Sequence, residues 1–89
     1  MATKMRAKLV IRSIERYGTS TGITTQENLK FHAVSGDKPY GPNGENEDNT
    51  FARYTPMASL EMSILNPELF GKFKEGDAFY VDFTPVSAE

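Results

Sequence analysis

The chain has 89 residues, a net charge of −2, no cysteine and a single histidine. That length supports one small core, because area scaling lets a chain of this size bury only about 64% of its unfolded surface. Zero cysteines exclude a disulfide framework, a thiolate nucleophile and cysteine-ligated zinc or iron–sulfur sites, and one histidine excludes a paired-histidine zinc site within one chain.

Charge is unevenly spread. Residues 1–16 hold Lys4, Arg6, Lys8, Arg12 and Arg16 against Glu15 alone, whereas 17–50 and 51–89 are each acidic. The composition is not that of a globally basic nucleic-acid binder, although it leaves one basic stretch. The apolar run Leu9-Val10-Ile11 stops at Arg12, too short for a signal peptide and far short of a membrane span. A soluble protein with no membrane partner is expected.

Four runs alternate apolar and polar residues, the pattern of strands with one buried face. In the first, Met5, Ala7, Leu9 and Ile11 oppose Arg6, Lys8, Val10 and Arg12. Ile14 is out of phase with Ile11, which predicts a bulge or a strand end near Ser13. Tyr17 to Gly22 is turn chemistry, and the second run follows with Leu29, Phe31 and Ala33 on one face. Residues 35–49 are polar, rich in Gly, Pro and Asn, and lack an apolar period; they predict a long mobile loop within a single domain spanning 1–89. Thr50 to Tyr54 is expected to add a short strand ahead of Pro56.

The third run places Leu60, Met62 and Ile64 opposite Glu61 and Ser63. Asn66 as N-cap, Pro67 at the first helical position, Glu68 in the first turn and Gly71 as a stop predict one short helix. Phe70 and Phe73 then plug one end of a sheet. After a tight turn at Lys74 to Asp77, the last run sets Phe79, Val81 and Phe83 against Tyr80 and Asp82. The predicted class is mainly β: a small antiparallel barrel or sandwich of about five strands with one short helix, OB-like in its order of elements. Phe31, Phe51, Phe70, Phe73, Phe79 and Phe83 are its expected core.

Arg6 to Val10, Lys30 to Val34, Asn49-Thr50-Phe51, Thr55-Pro56, Ser59 to Met62, Asn66-Pro67, Phe73 with Gly76, and the closing Phe79-Tyr80-Val81-Asp82-Phe83-Thr84-Pro85 together form a pattern. On these residues the chain resembles a family of small β-rich proteins of tailed bacteriophages. Ala58 stands where that pattern commonly has glycine, and the acidic loop is longer. The resemblance implies a phage origin and a compact β fold, and it carries no catalytic residues across.

Candidate chemistry is sparse. His32 is the one proton shuttle near neutral pH, but no Gly-x-Ser-x-Gly nucleophile accompanies it, and a solvated histidine on the outer face is expected. Gly36, Gly41 and Gly44 lack the Gly-Lys-Ser/Thr ending of a phosphate loop. Glu45, Glu47 and Asp48 lack the ligand spacing of a calcium hand. No catalytic residue, metal ligand or cofactor is assigned.

Two constellations remain. Arg6, Lys8 and Arg12 with Lys30 make a basic strand face that could track phosphates, with Tyr17 and Tyr40 as candidate base stackers. The bland alternative is cross-strand pairing of these cations with Glu61 and Asp82. Asp37, Tyr40, Glu45, Glu47 and Asp48 make an acidic interaction loop. The function expected is a non-enzymatic, phage-encoded binding or structural accessory protein acting as a homo-oligomer or with another phage protein, in the host cytoplasm or the virion. Single-stranded DNA binding through the basic face, and inhibition of a host enzyme or defence factor through the acidic loop, are the alternatives.

Overall fold

The computed structural model describes residues 5–36 and 38–86. β1 (Met5–Gly18) runs antiparallel to β2 (Thr24–Ala33), and the turn between them is closed by Thr19 N–H on Ile23 O at 2.8 Å and Gly22 N–H on Thr19 O at 3.0 Å. Gly22 takes a φ of 86°, which a residue without Cβ adopts at no steric cost. β3 (Ser59–Ile64) flanks β2, and β4 (Ala78–Phe83) flanks β1, giving one four-stranded antiparallel sheet in the order β3-β2-β1-β4.

The phase break in β1 resolves as a bulge. Ile11 pairs with Phe31 and the next partnered residue, Ser13, with Lys30, so Arg12 is the extra residue. Ile14 therefore returns to the face of Ile11, opposite Leu29, and the strand continues to Gly18.

The sheet is open, which corrects the expected five-stranded barrel or sandwich: β3 and β4 lie at opposite edges and never pair. Thr50 to Tyr54, the expected fifth strand, is a series of turns, with Tyr54 at a φ of 56° that no strand residue adopts. Its place beside β1 is taken by side chains. Past the end of β2, Val34 N–H still donates to Lys8 O at 3.0 Å. Asn49, 2% exposed, then accepts from Lys8 N–H with Oδ1 and donates from Nδ2 to Val34 O, both at 2.8 Å. Thr50 Oγ1 accepts from Arg6 N–H at 2.8 Å while Thr50 N–H donates to Arg6 O at 3.0 Å. Two polar side chains thus satisfy sheet groups that a fifth strand would have bonded.

The expected helix is a single 3₁₀ turn, Pro67–Leu69, with Asn66 Oδ1 accepting from Glu68 N–H at 3.1 Å. Three residues is all it reaches, because Phe70 is already extended at a ψ of 135° and Gly71 follows in the left-handed region at a φ of 74°. The core lies on one face of the sheet: Ala7, Leu9, Ile11, Leu29, Phe31 and Ile64 are buried, and Phe51, Phe70, Phe73 and Phe79 pack on them half-buried. Phe79 stands edge-on to Phe31 and Phe73, at centroid distances of 6.1 and 5.8 Å. Phe83 departs from the expected core, being 47% exposed at the end of the edge strand. The second layer is therefore a few aromatic rings rather than another sheet, and the molecule is only 16 Å through its thinnest dimension.

In urea unfolding, Phe79→Ala should cost about 3 kcal/mol, and Phe83→Ala, already half in solvent, about 1 kcal/mol or less. Asn49→Ala leaves two part-buried backbone groups, Lys8 N–H and Val34 O, without their partner and should cost about 1–3 kcal/mol; a loss under about 0.5 kcal/mol would show that the side-chain bridge is not structural.

Candidate functional site

Register decides which charges meet on the outer face of the sheet. Arg6 lies opposite Asp82, Lys8 opposite Tyr80 and Lys30 opposite Glu61. The Arg6 guanidinium grips Asp82 through Nε at 2.7 Å and Nη2 at 3.1 Å, and sits 4.7 Å over the Tyr80 ring. That hydrogen bond holds the Asp82 carboxyl below its ordinary range and raises Arg6. Lys30 Nζ reaches Glu61 at 3.7 Å. Both pairs are solvent-exposed, so they set partner choice more than stability.

The acidic loop folds back toward this basic end. Glu47 accepts from Lys38 Nζ at 2.6 Å, which lowers its carboxyl, and it lines an open cleft of about 380 Å³ together with Arg6, Thr50 and Asp82. Asp48, half-buried, adds to the negative field on Arg6. Glu45 accepts from the Asn43 N–H at 3.0 Å and so serves the loop itself. Glu47 and Asp48 of the acidic loop thus lie beside Arg6 of the basic face and offset its charge. Asp37 lies outside the described residues.

The two candidate stacking tyrosines make other contacts. Tyr17 sits on β1 eleven positions beyond Arg6, roughly 35 Å along a strand, with its hydroxyl on Glu15 at 3.4 Å. Tyr40 is edge-on to Tyr54 at 5.9 Å, and its hydroxyl is 3.0 Å from Ser35 Oγ. Arg12, exposed at the bulge, makes no ion pair among the described residues. His32 is half-buried rather than solvated, because Val10 and Ser59 flank it; its Nδ1 is buried with no hydrogen-bond partner among the described residues.

The opposite face holds two features that the alternation does not announce. Glu27 is 1% exposed; it accepts from Arg16 Nε at 2.6 Å and from Gly71 N–H at 3.2 Å, so it ties the 3₁₀ turn to the sheet. Its signal in sequence is parity: Glu27 is in phase with Leu29 and Phe31, on the apolar side. The second feature is an apolar slot of about 170 Å³ over the start of β1, with Ala7 and Leu9 in its lining and Met5, Phe51, Leu60 and Phe83 around them. It lies where the other rings do not reach: of the half-buried rings Phe51, Phe70, Phe73 and Phe79, Phe51 alone lines it.

No family model matches the chain, and neither the curated proteins nor the solved structures contain a match to it. Among the described residues no three His, Cys, Asp or Glu side chains are placed to hold a metal ion, and no helix is long and apolar enough to cross a membrane.

The Arg6–Asp82 pair makes a signed prediction. A carboxyl held low in the folded state contributes stability above its unfolded pKa and loses it as pH falls through the folded value. Melting temperature should therefore decline below the ordinary aspartate value of 3.8, and Asp82→Asn should flatten that part of the profile.

Proposed function

We propose that the chain works by binding, as a non-enzymatic structural or accessory component of a larger protein assembly, with the half-covered apolar face as its contact surface. The observation that carries this is the slot between Met5, Phe51, Leu60 and Phe83, an apolar depression left open on the core side of a sheet. A domain this small has little apolar area to spare, so leaving such a depression empty costs stability that a partner's side chain would recover. The resemblance to small β-rich proteins of tailed bacteriophages supports a phage setting, in the host cytoplasm or the virion.

Single-stranded nucleic-acid binding draws less support, since Arg6 and Lys30 are held by Asp82 and Glu61, Tyr17 lies far along β1, and Tyr40 is packed edge-on against Tyr54. An inhibitory role for the acidic loop draws less still, because Glu47 and Glu45 are engaged within their own chain.

The test is Ala58→Trp, at an exposed position on the rim of the slot, which fills the depression while replacing no core residue. In a lysate of the source, the wild-type chain should elute in a complex well above its own mass, and the variant should elute alone with an unchanged circular-dichroism spectrum. Wild type eluting alone, or a variant that assembles normally, overturns the proposal. A fluorescent single-stranded oligonucleotide should show no micromolar binding at physiological salt; such binding, lost on Lys8→Ala, would put the nucleic-acid role first.

A further inference from the structure

β4 is an edge strand whose backbone is half unused. Ile11 N–H donates to Asp77 O at 2.9 Å, whereas Arg6 and Lys8 give their backbone groups to Thr50, Asn49 and Val34 on the other side of β1. Odd-numbered β1 residues here therefore bond toward β4, and through the pairs Leu9↔Phe79, Ala7↔Val81 and Met5↔Phe83 it is the odd-numbered residues of β4 that bond back. The N–H and C=O groups of Ala78, Tyr80 and Asp82 point out of the sheet.

The strand itself carries no residue that blocks pairing. Ala78-Phe79-Tyr80-Val81-Asp82-Phe83 contains no proline and no lysine, and its one charge is already neutralised by Arg6 of the same chain. The other edge, Ser-Leu-Glu-Met-Ser-Ile, has much weaker strand propensity. The β4 edge is also complementary to itself. A two-fold axis through Val81 puts Val81 against Val81, Phe79 against Phe83 and Tyr80 against Asp82 of a second copy. Ala78, Tyr80, Asp82 and Thr84 are then the hydrogen-bonding positions. Shifting by one pairing step to an axis through Tyr80 sets Asp77 against Phe83, an acid against a half-exposed ring.

From these observations we infer that β4 pairs antiparallel with β4 of a second copy about an axis at Val81, giving a continuous eight-stranded sheet whose two apolar faces run together at Phe79 and Phe83. The inference names one partner in the assembly proposed above and rests on that proposal only in treating the chain as a binding protein.

Because the chain has no cysteine, one introduced thiol tests the register without ambiguity. At the axis, Val81 is a non-hydrogen-bonded pair with Cα atoms about 4.5 Å apart, inside the range a disulfide spans. Val81→Cys at micromolar concentration should oxidise to a disulfide-linked dimer. Ser63→Cys, on the β3 edge, should stay monomeric under the same conditions. Tyr80→Pro removes the outward N–H together with the exposed ring beneath Arg6, and should shift wild-type dimers to monomers in sedimentation while the sheet spectrum stays unchanged; Tyr80→Ala, which removes the ring and keeps the N–H, should stay dimeric. A wild type that sediments as a monomer up to about ten times the working concentration overturns the inference, as does cross-linking of Ser63→Cys in place of Val81→Cys. A wild type that is monomeric alone yet enters the larger complex in lysate removes the β4 pair and leaves the proposed function standing. Val81→Cys dimers from a chain that never enters a larger complex do the reverse.

Discussion

One extra residue in the central strand governs this molecule. Side chains in a strand alternate strictly, so a 14-residue β1 with Ile11 and Ile14 both apolar would split its apolar residues between two faces. The bulge at Arg12 re-phases the second half, and the consequences run outward. Leu29 and Phe31 of β2 meet Ile14 and Ile11 on one side, so the sheet has a single apolar face. Arg16, brought to that same face, then meets Glu27. Without the re-phasing, Ile14 would face water, and Glu27 would be a buried carboxylate with no cation.

Much of the fold was legible in the residues. The four alternating runs became the four strands, the break near Ser13 became the bulge, and Asn66-Pro67 began the helical turn, because each of these is a local property of a short stretch. Closure was not local. Whether β3 and β4 meet depends on what lies between them, and Thr50 to Tyr54 reads as strand by composition. Asn49 and Thr50 use their side chains to cap β1 instead, and Tyr54 leaves the extended region. The same limit applies to the basic face. Arg6, Lys8, Arg12 and Lys30 are visible as cations, but their partners are set by register, and register placed Asp82 and Glu61 directly across from two of them. Glu27 was legible in parity alone, and its role needed Gly71, forty-four residues away.

Polar groups therefore carry an unusual share of the architecture. With six buried apolar core residues among the described residues, the sheet has little hydrophobic area to hold its long excursion and its helical turn. Two buried polar side chains do that instead: Asn49 fastens the loop to β1 and β2, and Glu27 fastens the turn to the apolar face. Each works because its hydrogen bonds are directional and its desolvation is compensated, which is the condition under which a buried polar group specifies structure. Aromatic rings complete the cover where they reach, and the slot marks where they stop.

The distance in sequence between β1 and β4 has its own consequence for how the chain acquires this shape. Arg6 and Asp82 are 76 residues apart, so the central strand is completed by the last strand of the domain. The β1–β2 hairpin, joined by a short turn, forms with little entropic penalty. Docking of β4 must close almost the whole chain, which makes folding slow relative to a domain of local contacts. Until β4 docks, Ala7, Leu9 and one edge of β1 lack the cover that the finished sheet gives them, so the last strand to be made is also the one that shields the central strand.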